Sequence, residues 1–183
     1  MTTKICVVFN ASFASNGQKS LNDVVDAGPS LLPDMVRLLV RFREYPVAFQ
    51  ADIRKAFFMI AVQEGDRKFL RFLWPNDKGA MVTWRLKKLP FGVNCSPFLL
   101  MAVLRRPFQD ENAFSENVQF IELLEKSFYV HDCISSVPTE QDANEFRMTS
   151  TRYLKNAGME LRKWRDNVFE ANPEAGKTVL GLP

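Results

Sequence analysis

The chain has 183 residues, enough for about one domain of roughly 150 residues. Hydrophobic residues make up 46% of it, which supports a packed core and excludes a disordered chain. The formal net charge of +3 is too near balance to mark a polyanion binder by itself. The longest apolar run, Phe98 to Leu104, is far short of the ~20 residues of a membrane span.

Three cysteines (Cys6, Cys95, Cys133) lie far apart with no CxxC pair, so a disulfide framework is not expected. The N-terminal apolar stretch is too short for a signal-peptide core. Together these predict an intracellular protein, cytoplasmic or nuclear, and not a secreted one. His131 is the only histidine, which excludes a His-rich zinc site and leaves one candidate base for a Ser-His-Asp triad. Charge is uneven along the chain. Residues 37–88 hold 12 Lys or Arg against 5 Asp or Glu, and residues 110–145 hold 1 against 9. Two solvated faces would give this pattern, and so would a basic polyanion surface near an acidic metal site.

In chain order, residues 4–10 read as a strand and Asn16-Gly17 as a turn. After the stop at Gly28-Pro29, Ser30 is placed to cap a helix running to about Phe42, with Pro33 in its first turn. Residues 47–52 alternate as a strand with Val47, Phe49 and Ala51 on one face and Ala48, Gln50 and Asp52 on the other. Residues 60–62, 69–74 and 81–85 read as further strands, with a hairpin turn at 76–79. Ser96-Pro97 opens a helix to about Arg105, with Ser96 as its cap. Short strands are expected at 127–130, 134–137 and 161–164, and a helix at 139–158 with Gly158 at its C-terminal end. Strands and helices mix without a βαβ repeat, so the fold class is α+β.

Two segments carry candidate chemistry. Phosphoryl transfer assisted by two metals needs carboxylates that converge on ions about 4 Å apart. One carboxylate at a strand end and others on a neighbouring hairpin tip would supply them. Asp52, in Ala51-Asp52-Ile53-Arg54-Lys55-Ala56-Phe57-Phe58, fits the first place, and Phe128-Tyr129-Val130-His131-Asp132 fits the second imperfectly.

Between and around them stand further motifs. They are Ser20-Leu21-Asn22-Asp23, Gly28-Pro29 with Leu31-Leu32, Arg41-Phe42-Arg43 with Tyr45-Pro46, Leu89-Pro90-Phe91-Gly92 followed by Ser96-Pro97, and Leu161-Arg162-Lys163-Trp164. In this order, over about residues 4–167, they resemble the reverse transcriptase of LTR retrotransposons, specifically the Pao/BEL lineage. The resemblance implies the fingers-palm part of a right-hand polymerase, an antiparallel sheet backed by helices. Residues 1–46 and 60–90 would be fingers-like, and 47–59 and 91–170 palm-like. Thumb and RNase H are expected to be absent, with other polyprotein segments supplied in trans. The implied activity is RNA-directed DNA synthesis: a primer 3′-hydroxyl attacks the α-phosphate of a dNTP at two Mg²⁺ ions, with Mn²⁺ as a substitute. The implied partners are an RNA or DNA template-primer and a dNTP, and no membrane.

The family's roles carry over by position. Asp52 and Asp132 would bind metal. Phe57 would be the aromatic gate against a ribose 2′-hydroxyl; by itself it reads as one core Phe among 16. Phe91 stands where retroviral members have Gln. Gly92 would allow close approach of template or nucleotide, or would simply be a turn glycine. Lys163 would lie near the triphosphate, and otherwise is a surface lysine.

Three charged positions depart from the pattern. The third motif should read Tyr-x-Asp-Asp, and His131 replaces its first Asp. Imidazole suits Mg²⁺ poorly. The fingers Arg that would clamp the triphosphate is Cys6, and the following Asp is Asn10. Apolar framework persists while chemistry is lost, so the chain is expected to be an impaired or inactive polymerase. The alternative is a non-catalytic nucleic-acid-binding or interaction domain on the same fold, with phosphate contacts from the basic 37–88 stretch. A loose phosphate-loop pattern at Ala171 to Thr178 lacks the preceding strand and following helix that such a loop needs.

Overall fold

The computed structural model describes residues 8–106 and 118–168. Residues 4–7 of the first expected strand, with Cys6, lie outside the described residues, as does the segment from Ala171 to Thr178. Residues 8–10 belong to no strand. The described residues fall into two compact units. One contains 8–30 and Phe57–Leu100; the other contains Leu31–Ala56, 101–106 and 118–168.

In the first unit, helix α1 (Leu21–Val24) is one turn held by a capping box. The Ser20 N–H donates to Asp23 Oδ2 at 2.8 Å, and the Asp23 N–H donates to Ser20 Oγ at 3.2 Å. The hairpin that the sequence predicts is present. Its turn closes through the Gly79 N–H donating to the Asn76 carbonyl at 2.8 Å, while Asn76 Oδ1 accepts from Lys78 and Ala80 N–H groups. Its first strand starts two residues late, at Arg71, because Phe69 closes a 3₁₀ turn, Arg67–Phe69. The strand expected at 60–62 reduces to one bridge, Ala61 to Lys88, flanked by Val62 N–H to Lys87 O and Leu89 N–H to Ile60 O, both 3.0 Å.

The second unit is built on a four-stranded antiparallel sheet. Its central strand β1 (Val47–Ile53) has the expected alternation: Val47, Phe49, Ala51 and Ile53 are buried, and Ala48, Gln50 and Asp52 half-buried. The hairpin of the first unit supplies β2 (Arg71–Pro75) and β3 (Met81–Arg85). The remaining strands are β4 (Phe128–Tyr129), β5 (Asp132–Val137) and β6 (Leu161–Asp166), in spatial order β4-β5-β1-β6.

Helices cover both faces of this sheet. Numbered in chain order, α2 (Met35–Phe42) precedes the sheet, and α3 (Ala56–Met59) and α4 (Ser96–Arg105) follow β1 and β3. After them come α5 (Val118–Lys126) and α6 (Glu140–Asn156). The α6 helix lies on the Phe49 face, where the Phe146 and Phe49 ring centroids are 4.7 Å apart. The α2 helix closes on the other face: Ser136 Oγ donates to the Arg41 carbonyl at 2.5 Å and accepts from the Tyr45 N–H at 3.1 Å. Between these helices β5 is buried from Cys133 through Val137, while the Gln50–Asp52 side of β1 stays open.

Two helix starts differ from expectation. The α2 helix begins at Met35, capped by Asp34, whose Oδ1 accepts from the Arg37 N–H at 2.8 Å. Pro33 disfavours helical backbone at the residue before it, so Ser30 cannot lead directly into the helix. Ser96 is the first residue of α4 and not its cap; its hydroxyl donates to the Pro90 carbonyl at 2.9 Å instead. Among the described residues no helix is long and apolar enough to cross a membrane.

Candidate active site

Antiparallel register brings the two aspartates together. Asp52 near the end of β1 is the cross-strand partner of Asp132 at the start of β5. The Ile53 N–H donates to the His131 carbonyl at 2.8 Å, which makes 52/132 a non-hydrogen-bonded pair. Side chains approach most closely at such pairs, and like charges directly opposite are unfavourable. Asp132 shows this: its carboxyl pKa is raised above the ordinary value, first by burial and further by the charge of Asp52, while His131 and Lys163 pull it back.

His131 enters on the two-residue turn between paired Tyr129 and Asp132. Val130, the other turn residue, has φ 54°, a left-handed backbone that a β-branched side chain rarely adopts. Tyr129 and Asp132 are fixed by pairing, so the strained turn places the imidazole beside the carboxylates. His131 Nδ1 lies 3.8 Å from Asp132 Oδ2. One ligand atom each from Asp52, His131 and Asp132 lies within 4.8 Å of the others, and all three residues are half-buried. They line an open cleft of about 580 Å³ together with Met35, Gln50 and Tyr129.

A bulge in β6 adds two cations. Gln50 pairs with Arg165 and Asp52 with Arg162, so two steps on β1 match three on β6. The extra residue falls at Lys163, whose φ is 55°. A regular strand would send Arg162 and Lys163 to opposite faces. The bulge lets both reach Asp52 Oδ2, at 3.3 Å from Arg162 Nε and 3.5 Å from Lys163 Nζ. Sequence reasoning singled out Lys163 but gave Arg162 no role, because a register shift has no signature in these residues. Cys133, next to Asp132, is buried on the opposite face, and burial raises its thiol pKa far above the ordinary value.

Phe57, Phe91 and Gly92 belong to the first unit. Phe57 is buried with its ring edge-on to Phe91 at 4.8 Å, and Phe91 is exposed. Phe58 also meets Phe91, at 5.8 Å. Gly92 has φ 86°, and a Cβ there would stand 2.6 Å from the Phe9 carbonyl oxygen. Asn22 Nδ2 donates to the Gly92 carbonyl at 2.9 Å. The chain's own backbone therefore already requires a glycine at 92. Gly92→Ala is expected to destabilise the protein by about 2 kcal/mol, from left-handed strain and the displaced Phe9 segment, read as a lower chemical-denaturation midpoint.

A stability prediction follows from the opposed carboxylates. Because folding raises the Asp132 pKa, the folded state holds its proton more tightly than the unfolded state. Stability then falls as pH rises from the ordinary carboxylate value towards the raised one. Asp132→Asn is expected to raise Tm at neutral pH in the presence of a chelator. The advantage should vanish below about pH 3.5, where both states are protonated.

The sequence matches the family model for reverse transcriptase (RNA-dependent DNA polymerase) over residues 6–167. No curated protein matches it. Among solved structures it is similar to foamy viral protease-reverse transcriptase dRH in complex with double-stranded DNA. That match has a TM-score of 0.59 and 16% identity, and covers 78% of this chain and 22% of that one. The foamy viral protease-reverse transcriptase in complex with RNA/DNA hybrid gives 0.58 and 18%, covering 79% and 18%. A prototype foamy virus protease-reverse transcriptase CSH mutant gives 0.57 and 18%, covering 78% and 17%. The chain thus spans about a fifth of the length of these proteins. At such identities the likeness is one of fold, and it is the expected fingers-palm arrangement of helices on antiparallel sheet. With the family model matching most of its length, the chain belongs to the reverse transcriptase family.

Proposed function

We propose that the chain carries the fingers-palm portion of an RNA-directed DNA polymerase of the Pao/BEL retrotransposon lineage, weakened at its catalytic centre by His131. The observation that carries this reading is the direct opposition of Asp52 and Asp132 across β1 and β5, with His131 in the same cluster. In this reading residues 1–46 and 60–90 are fingers-like, and 47–59 and 91–170 palm-like. Its partners are an RNA or DNA template-primer and a dNTP.

The donor set fits one divalent ion. Two carboxylates face each other in an open cleft, and their mutual repulsion gives a cation something to relieve. Asp52 and Asp132 would hold it. A second ion lacks the carboxylate that His131 replaces, so the family's pair of Mg²⁺ ions is poorly provided for. Bound metal would stabilise charge on the attacking and leaving oxygens as the primer 3′-hydroxyl displaces pyrophosphate. Arg162 and Lys163 orient the Asp52 carboxylate. Lys163, the more exposed of the two, is the cation able to turn towards a triphosphate. Phe57, Phe91 and Gly92 keep the nucleotide-binding roles that the resemblance implies.

The test is primer extension on an RNA template with Mg²⁺ and with Mn²⁺, comparing the chain with its His131→Asp variant. Extension by the variant alone is expected. Extension by the unmodified chain would overturn the impairment. Extension by neither would remove synthesis from this chain and leave a second reading, a non-catalytic nucleic-acid-binding domain. That reading has its own observation in the β2–β3 hairpin. Arg71 stands directly opposite Arg85, a like-charge pair that a phosphate would relieve, and Trp74 and Trp84 are exposed on the same hairpin. It expects binding to RNA–DNA hybrid that falls steeply with salt and is not accompanied by synthesis.

A further inference from the structure

We infer that Asp52, His131 and Asp132 form a mixed carboxylate–imidazole site that selects a borderline transition-metal dication, of the Zn²⁺ and Co²⁺ class, over Mg²⁺. The inference deepens the proposed function and rests on its placement of the metal centre in this cleft, but not on synthesis taking place there.

Geometry comes first. Donors 2.0–2.2 Å from one ion at tetrahedral angles stand about 3.3–3.6 Å apart. His131 Nδ1 and Asp132 Oδ2, at 3.8 Å, need to close only slightly to reach that span. The full set lies within 4.8 Å, so closing it needs a movement of roughly 1 Å. Side-chain torsion can supply this, because the His131 side chain is 44% exposed and that of Asp132 32%. The backbone needs no change: the bond from the Ile53 N–H to the His131 carbonyl fixes the tip against β1.

Chemistry decides the ion. Mg²⁺ demands oxygen donors and gives up water reluctantly, whereas imidazole is a good ligand for zinc and its neighbours. Charge works in the same direction. Arg162 and Lys163 already sit on Asp52 Oδ2, so two cations offset the two carboxylates. A hard ion held by charge alone gains only part of what the bare carboxylate pair would offer. A borderline ion also gains a nitrogen bond that neither cation can replace. Two carboxylates and one imidazole make three protein ligands and leave open positions for water or a substrate oxygen. Cys133 takes no part, since the strand alternation turns its buried thiol to the other face of β5.

The experiment titrates the full chain with Co²⁺, followed by its visible absorption, and measures Zn²⁺ and Mg²⁺ by calorimetry. The variants are His131→Asp, His131→Ala and Asp52→Asn. The unmodified chain is expected to bind Co²⁺ and Zn²⁺ at least about 100-fold more tightly than Mg²⁺. His131→Ala and Asp52→Asn should each weaken Co²⁺ by at least about tenfold, and His131→Asp should weaken Co²⁺ while strengthening Mg²⁺. Co²⁺ affinity unchanged in both His131→Ala and Asp52→Asn, or Mg²⁺ bound as tightly as Co²⁺ by the unmodified chain, would overturn the inference. Thermal unfolding of each variant shows whether a lost affinity is merely a lost fold, and His131→Ala keeps the test decisive if three carboxylates unfold His131→Asp. Primer extension by His131→Asp is a separate readout. Its failure with the Co²⁺ pattern intact would remove the polymerase reading alone.

Discussion

Phe146→Ala is expected to destabilise the second unit by about 3–5 kcal/mol, the range for truncating a fully buried aromatic side chain. Phe146 is 1% exposed and joins three elements. From α6 its ring reaches Phe49 on β1 at 4.7 Å and Phe120 on α5 at 5.4 Å. Phe49 continues the cluster to Trp164 on β6 at 6.0 Å, and the Arg147 guanidinium lies 5.5 Å from that indole. Alanine would leave a cavity at the centre of this cluster, which the surrounding structure relaxes only partly to fill. Against a typical total of 5–15 kcal/mol such a loss is a large fraction, so the denaturation midpoint should fall steeply. Met148→Ala, two positions along the same helix and 69% exposed, is the control and should move stability by less than about 0.5 kcal/mol. Equal effects of the two changes would mean that Phe146 does not anchor the helix to the sheet.

That cluster was only partly legible in the sequence. The alternation of Val47, Phe49 and Ala51 places Asp52 on the opposite face of a strand, and the structure agrees because the Phe49 face packs fully against α6 while the Gln50–Asp52 side of β1 stays half-buried. Thr139 with Asp142 is a local cap signal, and it set the start of α6 one residue later. The sequence pattern predicts no helix at α5, although Leu124 within it is fully buried. Nine residues before a strand give too few turns for periodicity to stand out. The α1 helix, at four residues, has no periodicity at all, and only the Ser20–Asp23 pair announces it. At the site, the sequence suggests Asp52 at a strand end and His131 and Asp132 at a hairpin tip, but the direct opposition of Asp52 and Asp132 comes from a β5 that begins at Asp132, two residues before the strand expected at 134–137. The β6 bulge was not legible. A bulge with a left-handed residue advertises itself when that residue is glycine, and here it is Lys163. The reason for Gly92 was equally hidden, since the close contact comes from the backbone of Phe9, more than 80 residues earlier.

In the His131→Asp background, Asp52→Asn is expected to reduce primer extension by at least about 10³-fold, while leaving the fold intact. Asparagine keeps the shape of the side chain and removes only its charge. A metal ion that stabilises the reacting oxygens by several kcal/mol depends on the carboxylates that hold it, and each 1.36 kcal/mol lost is about tenfold in rate. Of the two aspartates, Asp52 is the less exposed, with 20% of its side chain accessible against 32% for Asp132, and it alone receives both Arg162 and Lys163. The stability consequences oppose each other. Asparagine ends the repulsion across the 52/132 pair, but it leaves two cations without their carboxylate. Activity and stability should therefore separate: extension lost, Tm nearly unchanged. If extension stays within about tenfold of the His131→Asp parent, less than one such increment of barrier has been lost, Asp52 is not a metal-holding carboxylate, and the polymerase reading of this cleft fails with it.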